Sequence, residues 1–139
     1  MKTRLILKTE EDTSALGARL AKHISVGDVF ALAGNLGTGK TTLAKAIASA
    51  LGVTEIITSP TFTIVCEYNS GRLPFYHFDV YRVHDEDELF EIGFDEYIEG
   101  QGVCVIEWGD LIKDILPAHT KWIYLEYGKN EGERICTII

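Results

Sequence analysis

Between Ala33 and Thr42 the chain reads Gly34-Asn35-Leu36-Gly37-Thr38-Gly39-Lys40-Thr41, a match to G-x-x-x-x-G-K-[ST]. This stretch constrains the fold more than any other, because the motif works only between a buried strand and a helix. Its glycines let the backbone curl until successive N–H groups point at phosphate oxygens. The helix that begins near Lys40 adds the positive end of its dipole. Lys40 is then placed to reach β- and γ-phosphates, and the Thr41 hydroxyl to ligate Mg²⁺. The flanks agree with that demand. Val29–Ala33 is the continuous apolar run of a strand buried on both faces. Thr41–Leu51 is rich in Ala, Leu and Ile, with Gly52 placed to close a helix. The expected nucleotide contacts are Gly37, Thr38, Gly39, Lys40, Thr41 and Thr42, and the expected cofactors are ATP and Mg²⁺.

The rest of the chain alternates strand and helix patterns. Arg4–Lys8 alternates as a short strand, and Thr9-Glu10-Glu11-Asp12 reads as a capping box opening a helix. Leu16, Leu20 and Ile24 give that helix one apolar stripe. Phe62–Tyr68 and Leu73–Asp79 read as strands joined through Asn69-Ser70-Gly71. An acidic helical stretch runs from Asp85 to about Ile92. Val103–Glu107 is a second buried strand, Leu111–Leu116 a short helix before Pro117, and Trp122–Tyr127 with Arg134–Ile139 a closing hairpin. The pattern predicts an α/β, P-loop NTPase fold: one compact three-layer domain over residues 1–139, with a mixed, largely parallel central sheet.

A phosphate loop alone hydrolyses nothing; it needs a carboxylate for the metal and a group to orient water. Asp79 and Glu107 each close an apolar strand, and ligands of open α/β sheets sit beyond such carboxyl ends. With Lys40 they form the expected catalytic set, and Thr41 with Glu107 the expected metal pair. Thr58-Ser59-Pro60-Thr61-Phe62 lies where nucleotide switches carry a hydroxyl that senses the γ-phosphate; on spacing alone an ordinary Ser/Thr/Pro loop reads equally well. His77 shares a strand face with Asp79. With no third or fourth ligand apparent, His77 is read as a core residue or a support for the site rather than a metal ligand.

Composition narrows the function classes. Lys and Arg number 13 against 21 Asp and Glu, a net charge of −8. That balance argues against an extensive direct nucleic-acid surface. No apolar run reaches membrane-spanning length, and Met1–Lys8 lacks the apolar stretch of a signal peptide, so the expectation is a cytoplasmic protein. Cys66, Cys104 and Cys136 are too scattered for a zinc site or a disulfide framework and read as free thiols in strands.

Four ordered motifs carry a family resemblance: Gly34–Thr42 with Leu36, Ser59-Pro60-Thr61-Phe62, His77-Phe78-Asp79-Val80-Tyr81-Arg82, and Ile106-Glu107-Trp108. Together they resemble the TsaE (YjeE) family, ATPase subunits of the bacterial machinery that installs N6-threonylcarbamoyladenosine on tRNA. The resemblance runs from about Thr9 to the C-terminus. It implies weak intrinsic ATPase activity, stimulated within a complex with TsaB and TsaD proteins, and contact with tRNA only through that complex. By motif position Thr41 and Glu107 would hold Mg²⁺, Asp79 would be the second acid, Ser59–Thr61 a switch-like loop, and Trp108 a residue packed beside the site. Asn35 and Thr38 depart from the frequent Asp and Ala, and Gly109-Asp110 follows Trp108 where Pro is frequent.

A small-molecule P-loop kinase is the alternative. It would need an arginine-bearing lid, and the chain has five Arg. A GTPase would need N-K-x-D or D-x-x-G segments, which are absent. A non-hydrolysing adaptor fits poorly with the presence of both Asp79 and Glu107.

Overall fold

Period-two burial organises the molecule. In the computed structural model, which describes residues 2–139, three strands are buried at every position: β2 (Val29–Ala33), β4 (Phe75–Asp79) and β5 (Val103–Glu107). Alternate side chains feed two separate cores. Phe30, Leu32, Phe75, Val103 and Val105 pack on one side, with Leu43, Ile47 and Leu16. Val29, Phe78, Cys104 and Ile106 pack on the other, with Leu89, Phe94 and Ile112. Strands covered on both faces carry near-continuous apolar sequence, which is why these three were readable as buried.

Among the described residues the sheet has seven strands. β1 is Thr3–Leu7, β3 Val65–Tyr68, β6 Lys121–Tyr127 and β7 Arg134–Ile138, in the order β1-β7-β6-β2-β5-β4-β3. The central four, β6, β2, β5 and β4, run parallel. β3 pairs antiparallel at one edge, and β7 and then β1 pair antiparallel at the other. Helices α1 (Glu10–Ala21) and α2 (Lys40–Ala50) contribute to the first core. Helices α3 (Glu86–Glu91) and α4 (Phe94–Ile98) and a 3₁₀ helix, Gly109–Ile115, contribute to the second. The expected three-layer α/β architecture is thus present.

Local signals behave as their chemistry requires. Thr9 caps α1 by accepting from the Asp12 amide at 3.2 Å, while the Asp12 carboxylate reaches back to the Lys8 amide at 2.8 Å. Gly52 closes α2: its amide bonds Ser49 O, and the next amide, on Val53, bonds Ala48 O. Cys66, Cys104 and Cys136 are free; burial pushes the Cys104 thiol up to about 12 and Cys136 up to about 11.

Two expectations need adjusting, and one helix adds to them. The strand foreseen from Phe62 begins only at Val65, because the Ile64 amide is taken by Pro60 O at 2.7 Å, turning Thr61–Thr63 out of the ladder. The helix foreseen at Leu111–Leu116 is the 3₁₀ helix Gly109–Ile115, interrupted by non-helical Ile112. Helix α4 was not foreseen; five residues are too short for a helical period to register.

Candidate functional site

The glycine-rich loop leaves the C-terminal end of β2 and enters α2. Gly34 (φ 153°), Gly37 (φ 81°) and Gly39 (φ 101°) have backbone angles that other residues rarely adopt. At Gly34 space forbids a side chain as well: a Cβ would lie 2.4 Å from Leu125 O and 2.7 Å from Thr38 Oγ1. Gly39 faces open space and caps the N-terminus of α2, leaving the first-turn amides of that helix without a side-chain cap. Lys40 folds back over the loop. Its ammonium donates to Gly34 O at 2.5 Å and Asn35 O at 3.0 Å, and sits 3.9 Å from the centre of the Trp108 ring. Burial lowers the Lys40 pKa below its ordinary value, opposed in part by the carboxylates of Glu107, Asp110 and Asp79.

Opposite the loop lie the two acids. β4 and β5 pair so that Asp79 and Glu107 stand side by side at their C-terminal ends. Thr41 Oγ1 donates to Glu107 Oε1 at 2.7 Å. Glu107 Oε2 lies 2.6 Å from His77 Nε2. Asp79 turns instead toward the Ser/Thr/Pro loop, accepting from Thr61 Oγ1 at 3.3 Å and from the Tyr81 amide at 3.0 Å. Ser59 and Thr61 hydroxyls are 2.8 Å apart. The backbone after Glu107 turns sharply: Trp108 has φ 64°, uncommon for a bulky residue, and this turn brings the indole over Lys40. Gly109 then approaches β2 so closely that a Cβ would meet Ala31 Cβ at 2.6 Å, which accounts for glycine after Trp108.

These groups line one cavity of about 270 Å³, walled by Leu36, Gly37, Gly39, Lys40, Thr41, Thr42, Ser59, Thr61, Asp79, Glu107 and Trp108. A neighbouring cavity of about 340 Å³ shares Gly37, Gly39 and Thr42 with it and continues along Lys8, Thr9, Thr13 and Arg134. The structure therefore brings together five of the six expected nucleotide contacts, both acids and the Ser/Thr/Pro loop. Thr38 lines the neighbouring cavity instead, buried and with its hydroxyl donating to Asn35 O at 2.7 Å.

The donor set suits a hard divalent cation bound jointly with phosphate. Thr41 and Glu107 present oxygen only and lie in contact, with Asp79 lining the same cavity. Among the described residues no group of three or more His, Cys, Asp or Glu is set to hold a metal alone. Mg²⁺ is commonly bound that way, by one or two carboxylates with waters and substrate phosphates completing its shell.

Two residues escaped the sequence. The Tyr127 hydroxyl donates to Leu36 O, and the Arg134 guanidinium donates to Gly37 O at 3.1 Å. They hold the glycine-rich loop from the β6–β7 hairpin, about a hundred residues along the chain. Only the placement of β6 beside β2 creates these contacts, and no local pattern signals it.

The fold is a mixed α/β sheet whose glycine-rich strand-to-helix loop faces two strand-end carboxylates. The family described as threonylcarbamoyl adenosine biosynthesis protein TsaE matches residues 7–136. The chain belongs to the TsaE family. It is 47% identical over 125 residues to the tRNA threonylcarbamoyladenosine biosynthesis protein TsaE of Bacillus subtilis, covering 90% of this chain and 78% of that protein. It is 43% identical over 135 residues to the protein of the same description from Treponema pallidum, covering 97% and 98%. The crystal structure of Bacillus subtilis YdiB superposes with a TM-score of 0.85 at 40% identity, covering 99% of this chain and 84% of the other.

Proposed function

We propose that the chain is a Mg²⁺-dependent, ATP-binding and ATP-hydrolysing subunit of the complex that forms the threonylcarbamoyl modification of tRNA. The observation that carries this reading is the Thr41–Glu107 hydrogen bond on the floor of the cavity beneath the glycine-rich loop. A hydroxyl and a carboxylate already in contact, on the first turn of α2 and the end of β5, form a ready pair of metal ligands. Lys40, now on the carbonyls of Gly34 and Asn35, would turn to phosphate oxygens, and the uncapped amides at the start of α2 would hold the rest of the negative charge. Bound there, Mg²⁺ would neutralise charge developing on the phosphates. Asp79 is the remaining acid in the cavity and the candidate to orient water. The adjoining cavity offers room for the base and ribose.

The partners are TsaB- and TsaD-type subunits, with tRNA reached through them. The net charge of −8 fits an indirect relation to RNA. Exposed apolar side chains in and beside the cavity fit a protein partner: Leu36 lines it at 79% exposure, Phe62 follows Thr61 at 82%, and exposed Tyr81 packs at a tilt on Trp108 with ring centres 4.6 Å apart. Among the described residues no helix is long and apolar enough to cross a membrane. Triphosphate would draw Ser59 and Thr61 inward and change what Phe62 presents, so partner affinity should differ between ATP-like and ADP states.

The test is ATP hydrolysis by wild type and Lys40→Ala, alone and with TsaB- and TsaD-type proteins. Low activity that rises with the partners and disappears in the variant supports the reading. Turnover that requires a small-molecule acceptor, giving a phosphorylated product, would replace it with the kinase reading.

A further inference from the structure

His77 occupies a position where chemistry alone argues for an apolar side chain. It lies in the middle of β4, fully buried, opposite Val105 of β5, with its ring 6.2 Å from Phe75. Of its two ring nitrogens one is satisfied: Nε2 lies 2.6 Å from Glu107 Oε2. Among the described residues Nδ1 has no hydrogen-bond partner. A buried polar atom without a partner costs stability, and a hydrocarbon of similar shape would avoid that cost. The imidazole therefore brings a penalty that its packing does not explain, and among the described residues its single polar contact is with Glu107.

That contact completes the carboxylate. Glu107 is 3% exposed, and its two oxygens are divided between two elements: Oε1 to Thr41 on α2, Oε2 to His77 on β4. With Oε2 tied, the carboxylate plane is fixed and Oε1 is held beside the Thr41 hydroxyl. A carboxylate can only accept, so the proton sits on Nε2. The ring thereby orients Glu107 through Oε2 and leaves Oε1 beside Thr41.

We propose that His77 is a positioning residue that holds Glu107 Oε1 beside Thr41 for Mg²⁺, an inference that rests on the nucleotide reading of the site. Supporting partners of metal ligands act in this way, and their loss typically costs 10–100-fold in metal affinity.

The experiment is a Mg²⁺ titration of ADP binding, followed by calorimetry or a fluorescent ADP analogue, with parallel ADP binding in EDTA and thermal melts. His77→Leu should need about tenfold more Mg²⁺ at half-saturation, with metal-free ADP affinity unchanged and no fall in melting temperature. His77→Gln, whose amide can reach toward the place of Nε2, should recover most of the loss. An unchanged Mg²⁺ titration in His77→Leu overturns the inference, as does equal weakening of metal-free binding. Wild-type ADP binding that ignores Mg²⁺ overturns the inference, and wild-type protein that binds no ADP with or without Mg²⁺ overturns the nucleotide reading itself. Nitrogen NMR of the wild-type ring gives a readout independent of ligand: a proton on Nε2 is expected, and a bare Nε2 contradicts the geometry.

Discussion

The cavity has two walls built in opposite ways. Its floor is strand-borne and buried: Glu107 is tied to Thr41 and His77, all three on regular elements of the sheet and α2. Its outer wall is the loop from Thr58 to Ile64, where Ser59, Phe62 and Thr63 are exposed. The 3.3 Å contact of Thr61 with Asp79 joins the two walls. A metal site demands groups held within fractions of an ångström, which packed elements supply. A sensor demands an element of low local stability, which few buried contacts supply. One cavity bordered by both can bind on one side and report on the other.

Perturbing the floor should have the largest effects. Lys40→Ala removes the one ammonium lining the cavity and should weaken ATP binding or turnover by about a hundredfold or more; near-wild-type turnover would mean the loop does not hold phosphate. Glu107→Ala should raise the Mg²⁺ requirement at least about tenfold, and an unchanged metal titration would take Glu107 out of the site. Perturbing the join should come next. Thr61→Ala removes two hydrogen bonds, to Asp79 and to Ser59, each worth about 0.5–1.5 kcal/mol, and should reduce the difference in partner affinity between ATP-like and ADP states while leaving Mg²⁺ dependence intact. A shifted metal titration in Thr61→Ala would erase the distinction between the walls. Phe62→Ala should have the smallest effect on the chain alone, within about 0.5 kcal/mol by thermal melt, and should show itself as weaker partner binding in pull-down or calorimetry. Full partner affinity in that variant would move the docking face elsewhere.

The same contrast explains what the sequence disclosed. Val29–Ala33 and Val103–Glu107 were legible because burial on both faces writes continuous apolar runs, and Asp79 and Glu107 stood out against them. The loop was legible because Gly34 and Gly39 need angles that few residues tolerate. Non-local contacts left no such mark. Tyr127 and Arg134 brace the loop from a hairpin placed by sheet order, and His77 meets Glu107 across thirty residues through the β4–β5 register. The late start of β3 was hidden as well, because the hydrogen bond from Ile64 to Pro60 O competes with the ladder in a way that β-propensity does not record.

Hydrogen exchange with mass spectrometry tests the two-wall account most directly, comparing the free chain with its Mg²⁺–ADP and Mg²⁺–ATP-analogue states. The floor strands β4 and β5 should be protected in all three. Residues 58–64 should exchange fast in the free and ADP states and slow with the triphosphate analogue. Exchange of that loop at one rate in all three states would contradict the claim that it senses the nucleotide.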